Sequence, residues 1–225
     1  MTRTKTSGAL ARSFTIAFMV AIWPVGLTAQ VATSANPLDT AGYVRLEITS
    51  SGNEARYRAR EQLLGVDFPN DAVGKTNAIT GALVFDRDGN IVSDESKIVV
   101  DVTGLKSDKE RRDGYLQRRT LLTSQYPTVT LVPTAVRGLP WPLPTSGDFS
   151  FDLIGNLTVK ETTHSTVWDV TAVAKDGGFS GNANTSFTFA DIGLEKPSVR
   201  VVLSVEDTLK LEYDFTVVPA AGASR

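Results

Sequence analysis

The 225-residue chain has no cysteine, one histidine and two methionines. Without cysteine it has neither a disulfide framework nor a lipid-attached thiol, so packing alone must hold it together. With His164 as the single imidazole, a metal would have to be held by carboxylates, and zinc or copper sites of ordinary type are excluded. A Ser-His-Asp triad would have to use His164, which lies in Glu161-Thr-Thr-His164-Ser-Thr-Val with no Gly-x-Ser-x-Gly elbow anywhere in the chain. That segment reads as a surface turn between two strands. No phosphate-binding glycine loop, paired-carboxylate cluster or nucleophile is recognisable, so no catalytic residue is assigned.

Long apolar runs are also scarce. The one candidate, Phe14 to Leu27, follows Arg3, Lys5 and Arg12 and precedes small residues at Ala29 and Ala35. This reads as a secretory signal over residues 1–29, with cleavage as late as residue 35 as the alternative. The run is short for a spanning helix and contains Pro24, so no stable membrane anchor is expected. Removing residues 1–29 takes away three basic and no acidic side chains, leaving 20 Lys+Arg against 25 Asp+Glu, a formal charge of −5. A nucleic-acid partner is not expected. Residues 30–40 and 219–225 read as flexible ends around one domain over 41–218.

What the chain has in abundance is alternation of period two. Leu209, Leu211, Tyr213, Phe215 and Val217 oppose Lys210, Glu212, Asp214 and Thr216, the pattern of a half-buried strand. Ala55, Tyr57 and Ala59 oppose Arg56, Arg58 and Arg60, and Phe149, Phe151 and Leu153 oppose Ser150 and Asp152. Val199 to Val205 alternates in the same way. Further strands are expected near residues 43–49, 77–85, 97–103, 129–136, 165–174 and 179–191. Turn chemistry separates them at Ser51-Gly-Asn53, Asp86-Arg-Asp-Gly-Asn90 and Asp176-Gly-Gly178. Asp86 to Asn90 lacks the twelfth-position Glu of a calcium loop and reads as a hairpin turn. Two Asn-x-Thr/Ser sequons, at Asn156 and Asn184, fall inside expected strands.

One helix is expected, Asp108 to Leu122, with Ser107 as N-cap and Glu110 completing a capping box. Its mixed charges read as a solvated face with one structural ion pair, Arg112 and Asp113 being the residues that tie it down; an anionic head group bound at the mouth of a barrel is the other reading. About eight or more antiparallel strands with one short helix make an all-β protein, either a sandwich or a closed barrel, and hairpin-dominated order favours the barrel. Such an interior is filled by side chains or holds one slender ligand. The inward aromatic set Tyr57, Phe85, Phe149, Phe151, Leu153, Trp168, Phe187, Phe189, Tyr213 and Phe215 would line an apolar slot or pack as ordinary core. Trp141, in the proline-rich Gly138-Leu-Pro-Trp141-Pro-Leu-Pro144, is placed with Arg112 and Asp113 as a mouth or lid candidate, or as a cap on the core.

The order of landmarks resembles that of the YceI-like family of exported polyisoprenoid-binding proteins. The supporting residues are Gly81 with Asp88-Gly89, Val100-Asp-Val102, Leu105-Lys-Ser-Asp108, Arg112-Asp113 with Leu116, Tyr126-Pro127, Gly155 with Leu157-Thr158, Thr163, and Phe187 with Asp191-Ile-Gly193. Lys160-Glu161 stand where the family often carries His-Gly. The resemblance implies an elongated, lipocalin-like antiparallel barrel whose interior holds the isoprenoid chain of a polyprenyl lipid or quinone, with no cofactor beyond that ligand. It also implies a periplasmic or secreted, non-enzymatic role in carriage or storage, and leaves a homodimer open. The competing classes are a hydrolase using His164 or a carboxylate pair, and a ligand-free structural or interaction barrel.

Overall fold

The structure is a computed structural model that describes residues 42–65, 67–198 and 200–220. The expected signal, residues 1–29, and the segment 30–40 lie outside the described residues, as do residues 221–225. Eleven strands follow in chain order: β1 Val44–Ile48, β2 Glu54–Leu63, β3 Asn70–Thr76, β4 Ile79–Phe85, β5 Lys97–Asp101, β6 Lys106–Ser107, β7 Thr128–Arg137, β8 Gly147–Val159, β9 Thr162–Lys175, β10 Gly178–Thr188 and β11 Val202–Pro219. Between β6 and β7 lies helix α1, Glu110–Tyr115, continued by a π-helical turn, Leu116–Thr120.

Eight of these strands close into an antiparallel barrel in the order β1-β4-β5-β7-β8-β9-β10-β11 and back to β1. Closure depends on the length of β11. One edge of β11 pairs with β10 from Thr208 to Val217; the other pairs with β1 at Val217 to Pro219 and with β2 from Val202 to Asp214. At the β2 end the sheet runs on through β3 and stops at the two-residue β6. The helical segment bridges the β5–β6 connection to the β8–β9 hairpin: Gln117 Nε2 donates to the Thr103 carbonyl (3.2 Å) and Lys160 Nζ to the Thr120 carbonyl (3.3 Å).

Three expectations are corrected. Val202–Val205 and Leu209–Val217 are parts of one strand, β11, carried across an irregularity between Val205 and Leu209, while residue 199 lies outside the described residues. The strand runs to Pro219, and the Ala220 N–H donates to the Arg45 carbonyl (2.9 Å), so the fold reaches past residue 218. Ser107 does not cap the helix. It belongs to β6, and its N–H and hydroxyl both donate to Asp113 Oδ1 (2.8 and 2.6 Å), while Lys109 in extended conformation precedes Glu110. Gly114 weakens the helix interior, and the wide turn after Tyr115, with Leu121 N–H bonded to the Leu116 carbonyl (2.8 Å), ends it early.

The outer face of β3-β2-β11 carries a ladder of ion pairs. Arg56 binds Glu54 (2.9 Å), Glu212 (3.1 Å) and Asp214 (2.5 Å), and Arg58 binds Asp71 (3.1 Å) and Glu212 (3.0 Å). Hydrogen bonds from Arg58 to Glu212 and from Arg56 to Asp214 hold both carboxyls below their ordinary values of 4.5 and 3.8. Depressed folded-state values mean that the unfolded chain takes up protons first as pH falls. The stability from this ladder is therefore complete above about pH 4.5 and drains away below it, through the folded-state values. Glu212→Gln should flatten the acid limb of a plot of Tm against pH; an unchanged limb would remove the ladder from the account.

Candidate ligand cavity

Along β8 the inward positions record what the barrel encloses. Phe149 and Phe151 line a small void of about 60 Å³ near one end, Leu153 borders both that void and a larger one, and Leu157 and Val159 line the larger one, a cavity of about 630 Å³. That volume lies within the range of small-molecule sites, about 300–1,000 Å³.

The expected aromatic set is split by this gradient. Phe85, Phe149, Phe151 and Phe215 face the small void. There Phe149 stacks on Phe151 (6.1 Å between centroids) and meets Phe179 edge-on (5.9 Å). Tyr57, Trp168 and Phe189 line the large cavity, and Leu153 and Tyr213 border both. Phe187 packs in the core beside His164, centroids 5.9 Å apart. Trp141 and Arg112, paired as mouth candidates in the sequence, stand at different ends. Trp141 Nε1 donates to the Arg87 carbonyl (2.8 Å) and its ring lies 5.7 Å from Phe85, so it caps the aromatic end. His164 is not in a turn: it is inside β9, opposite Leu157. Among the described residues no three His, Asp or Glu side chains cluster to hold a metal.

What opens the large cavity is the small size of its other inward residues, none of them among the expected lining residues. Ala55 and Ala59 on β2, Ala72 on β3 and Ala183 on β10 all line it. Where a lipid-sized interior would otherwise be filled by Leu or Phe, four methyl groups leave space. Aliphatic side chains supply much of the remaining wall, among them Ile98, Val100, Leu131, Leu157, Leu209 and Leu211. The signal was present in the sequence as Ala at alternate positions of the Arg56-Arg58-Arg60 strand.

The helical segment forms one wall through Lys109, Arg111, Arg112, Tyr115, Leu116, Thr120 and Leu121. Arg112 is partly buried, its side chain 14% exposed. It pairs with Glu61 of β2, whose side chain is 8% exposed, and with Asp108, and it donates to Ser107 Oγ (3.2 Å). Burial works against its charge, but Asp108 and Glu61 outweigh that and hold the guanidinium above its ordinary value. Asp113 lies behind, on Ser107, and fixes the start of the helix. The Lys160-Glu161 turn is also bound to this wall region, Lys160 through Thr120 and Glu161 through the Tyr126 hydroxyl (2.7 Å). At the rim, Leu64 and Val201 line the cavity while 64% and 60% exposed, and the Leu64 N–H donates to the Val201 carbonyl (2.9 Å). An apolar path thus reaches the surface where β2 meets the start of β11. Among the described residues no helix is long and apolar enough to cross a membrane.

Solved structures of the same architecture include BcnA of Burkholderia cenocepacia (12% identity, 75% of this chain and 98% of that one, TM-score 0.55). A polyisoprenoid binding domain from Saccharophagus degradans implicated in plant cell wall breakdown is 11% identical over 80% of this chain and 99% of its own, with TM-score 0.57. The YceI protein of Campylobacter jejuni is 14% identical over 71% and 91%, with TM-score 0.50. At such identities these likenesses speak to the fold alone. No curated protein matches the sequence. The family model of the YceI-like domain matches residues 33–217, and the chain belongs to that family.

Proposed function

We propose that this protein is an exported lipid carrier or store, periplasmic or secreted, that encloses the isoprenoid chain of a polyprenyl lipid or quinone and performs no catalysis. The observation that carries this reading is the 630 Å³ cavity walled chiefly by aliphatic and aromatic side chains. Each CH₂ transferred from water into such a cavity contributes about 0.8 kcal/mol, so a few isoprene units give tight retention without any specific contact. The Saccharophagus domain, described as polyisoprenoid-binding, is consistent with that choice of chain. The ligand-free reading sits poorly with an unfilled interior, since packed cores hold few voids larger than a water molecule.

Delipidated protein titrated with a prenylquinone should show saturable quenching of Trp168, which lines the cavity, at one ligand per chain. Absence of quenching together with absence of bound quinone after gel filtration would refute the proposal.

A further inference from the structure

Of the three tyrosines that line the cavity, Tyr57 and Tyr213 differ in what their hydroxyls do. Tyr213 spends its hydroxyl on Asn53 Oδ1 at 2.9 Å. Tyr57 does not: its buried hydroxyl oxygen has no hydrogen-bond partner among the described residues. The other buried side-chain atom in that condition among the described residues, Asn70 Oδ1, does not line the cavity. Such a group costs stability unless something satisfies it.

The position of Tyr57 is built rather than incidental. It lies opposite Gly74 of β3, and a Cβ at Gly74 would stand 2.2 Å from Tyr57 Cε1 and 2.9 Å from the hydroxyl oxygen. Glycine there is what lets the ring lie across the neighbouring strand. Burial raises the phenol well above its ordinary value, with the Arg112 charge opposing, so the hydroxyl stays protonated and is a donor. The nearby Arg112 is already shared between the carboxylates Glu61 and Asp108. Glu61, 8% exposed, neutralises Arg112 on the protein side, while Asp108, 61% exposed, is shared with Lys109 (3.7 Å), so an added phosphate or carboxylate finds no uncompensated cation in the poorly solvated part of the wall.

From these contacts we infer that Tyr57 is the polar anchor of the cavity, donating a hydrogen bond to an uncharged oxygen of the ligand, a carbonyl, ether or hydroxyl at the head of the apolar chain. This rests on the lipid-binding reading above and narrows it: the ligand class is a neutral oxygenated prenyl lipid, and a prenyl diphosphate is disfavoured.

The test compares a prenylquinone, a prenyl diphosphate and an isoprenoid hydrocarbon of matched chain length, each displacing a neutral fluorophore from wild type, Tyr57→Phe and Gly74→Ala. Tyr57→Phe should weaken the quinone about tenfold, the size of one hydrogen bond, and leave the hydrocarbon within about twofold. Its Tm without ligand should not fall, because an unsatisfied hydroxyl is removed; a purely structural tyrosine would lower it. Gly74→Ala, which pushes the ring aside, should reproduce the loss for the quinone. Wild type should hold the diphosphate more weakly than the quinone. Equal loss for quinone and hydrocarbon, no loss for either, or a diphosphate bound more tightly through Lys109 and Arg111 at the cavity wall would each overturn the assignment of Tyr57. Failure of wild type to bind any of the three would instead remove the lipid-binding reading itself.

Discussion

Ala183→Trp should fold and take up almost no prenyl chain. Ala183 is 5% exposed, pairs with Val170 and Tyr213, and borders both voids. An indole placed there projects into space the ligand needs. Excluding one isoprene unit, with its five carbons, costs about 4 kcal/mol at about 0.8 kcal/mol per carbon, roughly a thousandfold in affinity. In a filled interior the same substitution would strain the core by about 1–3 kcal/mol; here the cavity receives it, so the thermal midpoint should move little. Affinity and Tm measured together separate the two cases. Normal binding by a folded Ala183→Trp would place the ligand elsewhere. Ala59→Leu, on the opposite side of β11 from β10, provides the check should the larger residue disturb folding.

Arg112→Ala should be the most destabilising single change in the helical wall. It leaves Glu61, 8% exposed at its side chain, with its cation gone. Removing one partner of a buried ion pair costs about 3–5 kcal/mol, whereas replacing both by apolar residues of similar size is often neutral. Arg112→Met combined with Glu61→Leu should therefore recover most of what Arg112→Ala loses, read as the urea midpoint at constant slope. A loss under about 1 kcal/mol for Arg112→Ala would mean that water reaches Glu61 and that the wall is held by apolar contacts alone.

The alternating strands were legible because large apolar residues on one face and charges on the other leave one consistent pairing register. The landmark run from Ser107 to Tyr126 likewise marked the wall segment. β3 was missed, and for the reason the cavity exists: Asn70-Asp-Ala-Val-Gly-Lys-Thr76 presents only the small Ala72, Gly74 and Thr76 inward, and Ala and Gly have weak strand preference. Side chains too small to signal a strand are the ones that leave room inside. Bulky aromatics, the residues that stand out in the sequence, fill the Phe149–Phe151 end and line only part of the larger space. The partner of Arg112 was not readable, since Glu61 lies 51 residues away and comes near only when β2 and the helix share one end of the barrel. Nor did the sequence suggest that Tyr57, one of several inward aromatics, keeps its hydroxyl unspent.

The most direct test of the whole account is organic extraction of the purified, never-delipidated protein followed by mass spectrometry. The account predicts a prenyl lipid with an uncharged oxygenated head, near one per chain, and its disappearance from Ala183→Trp. Repeated recovery of lipid-free protein that takes up no added prenylquinone would contradict it.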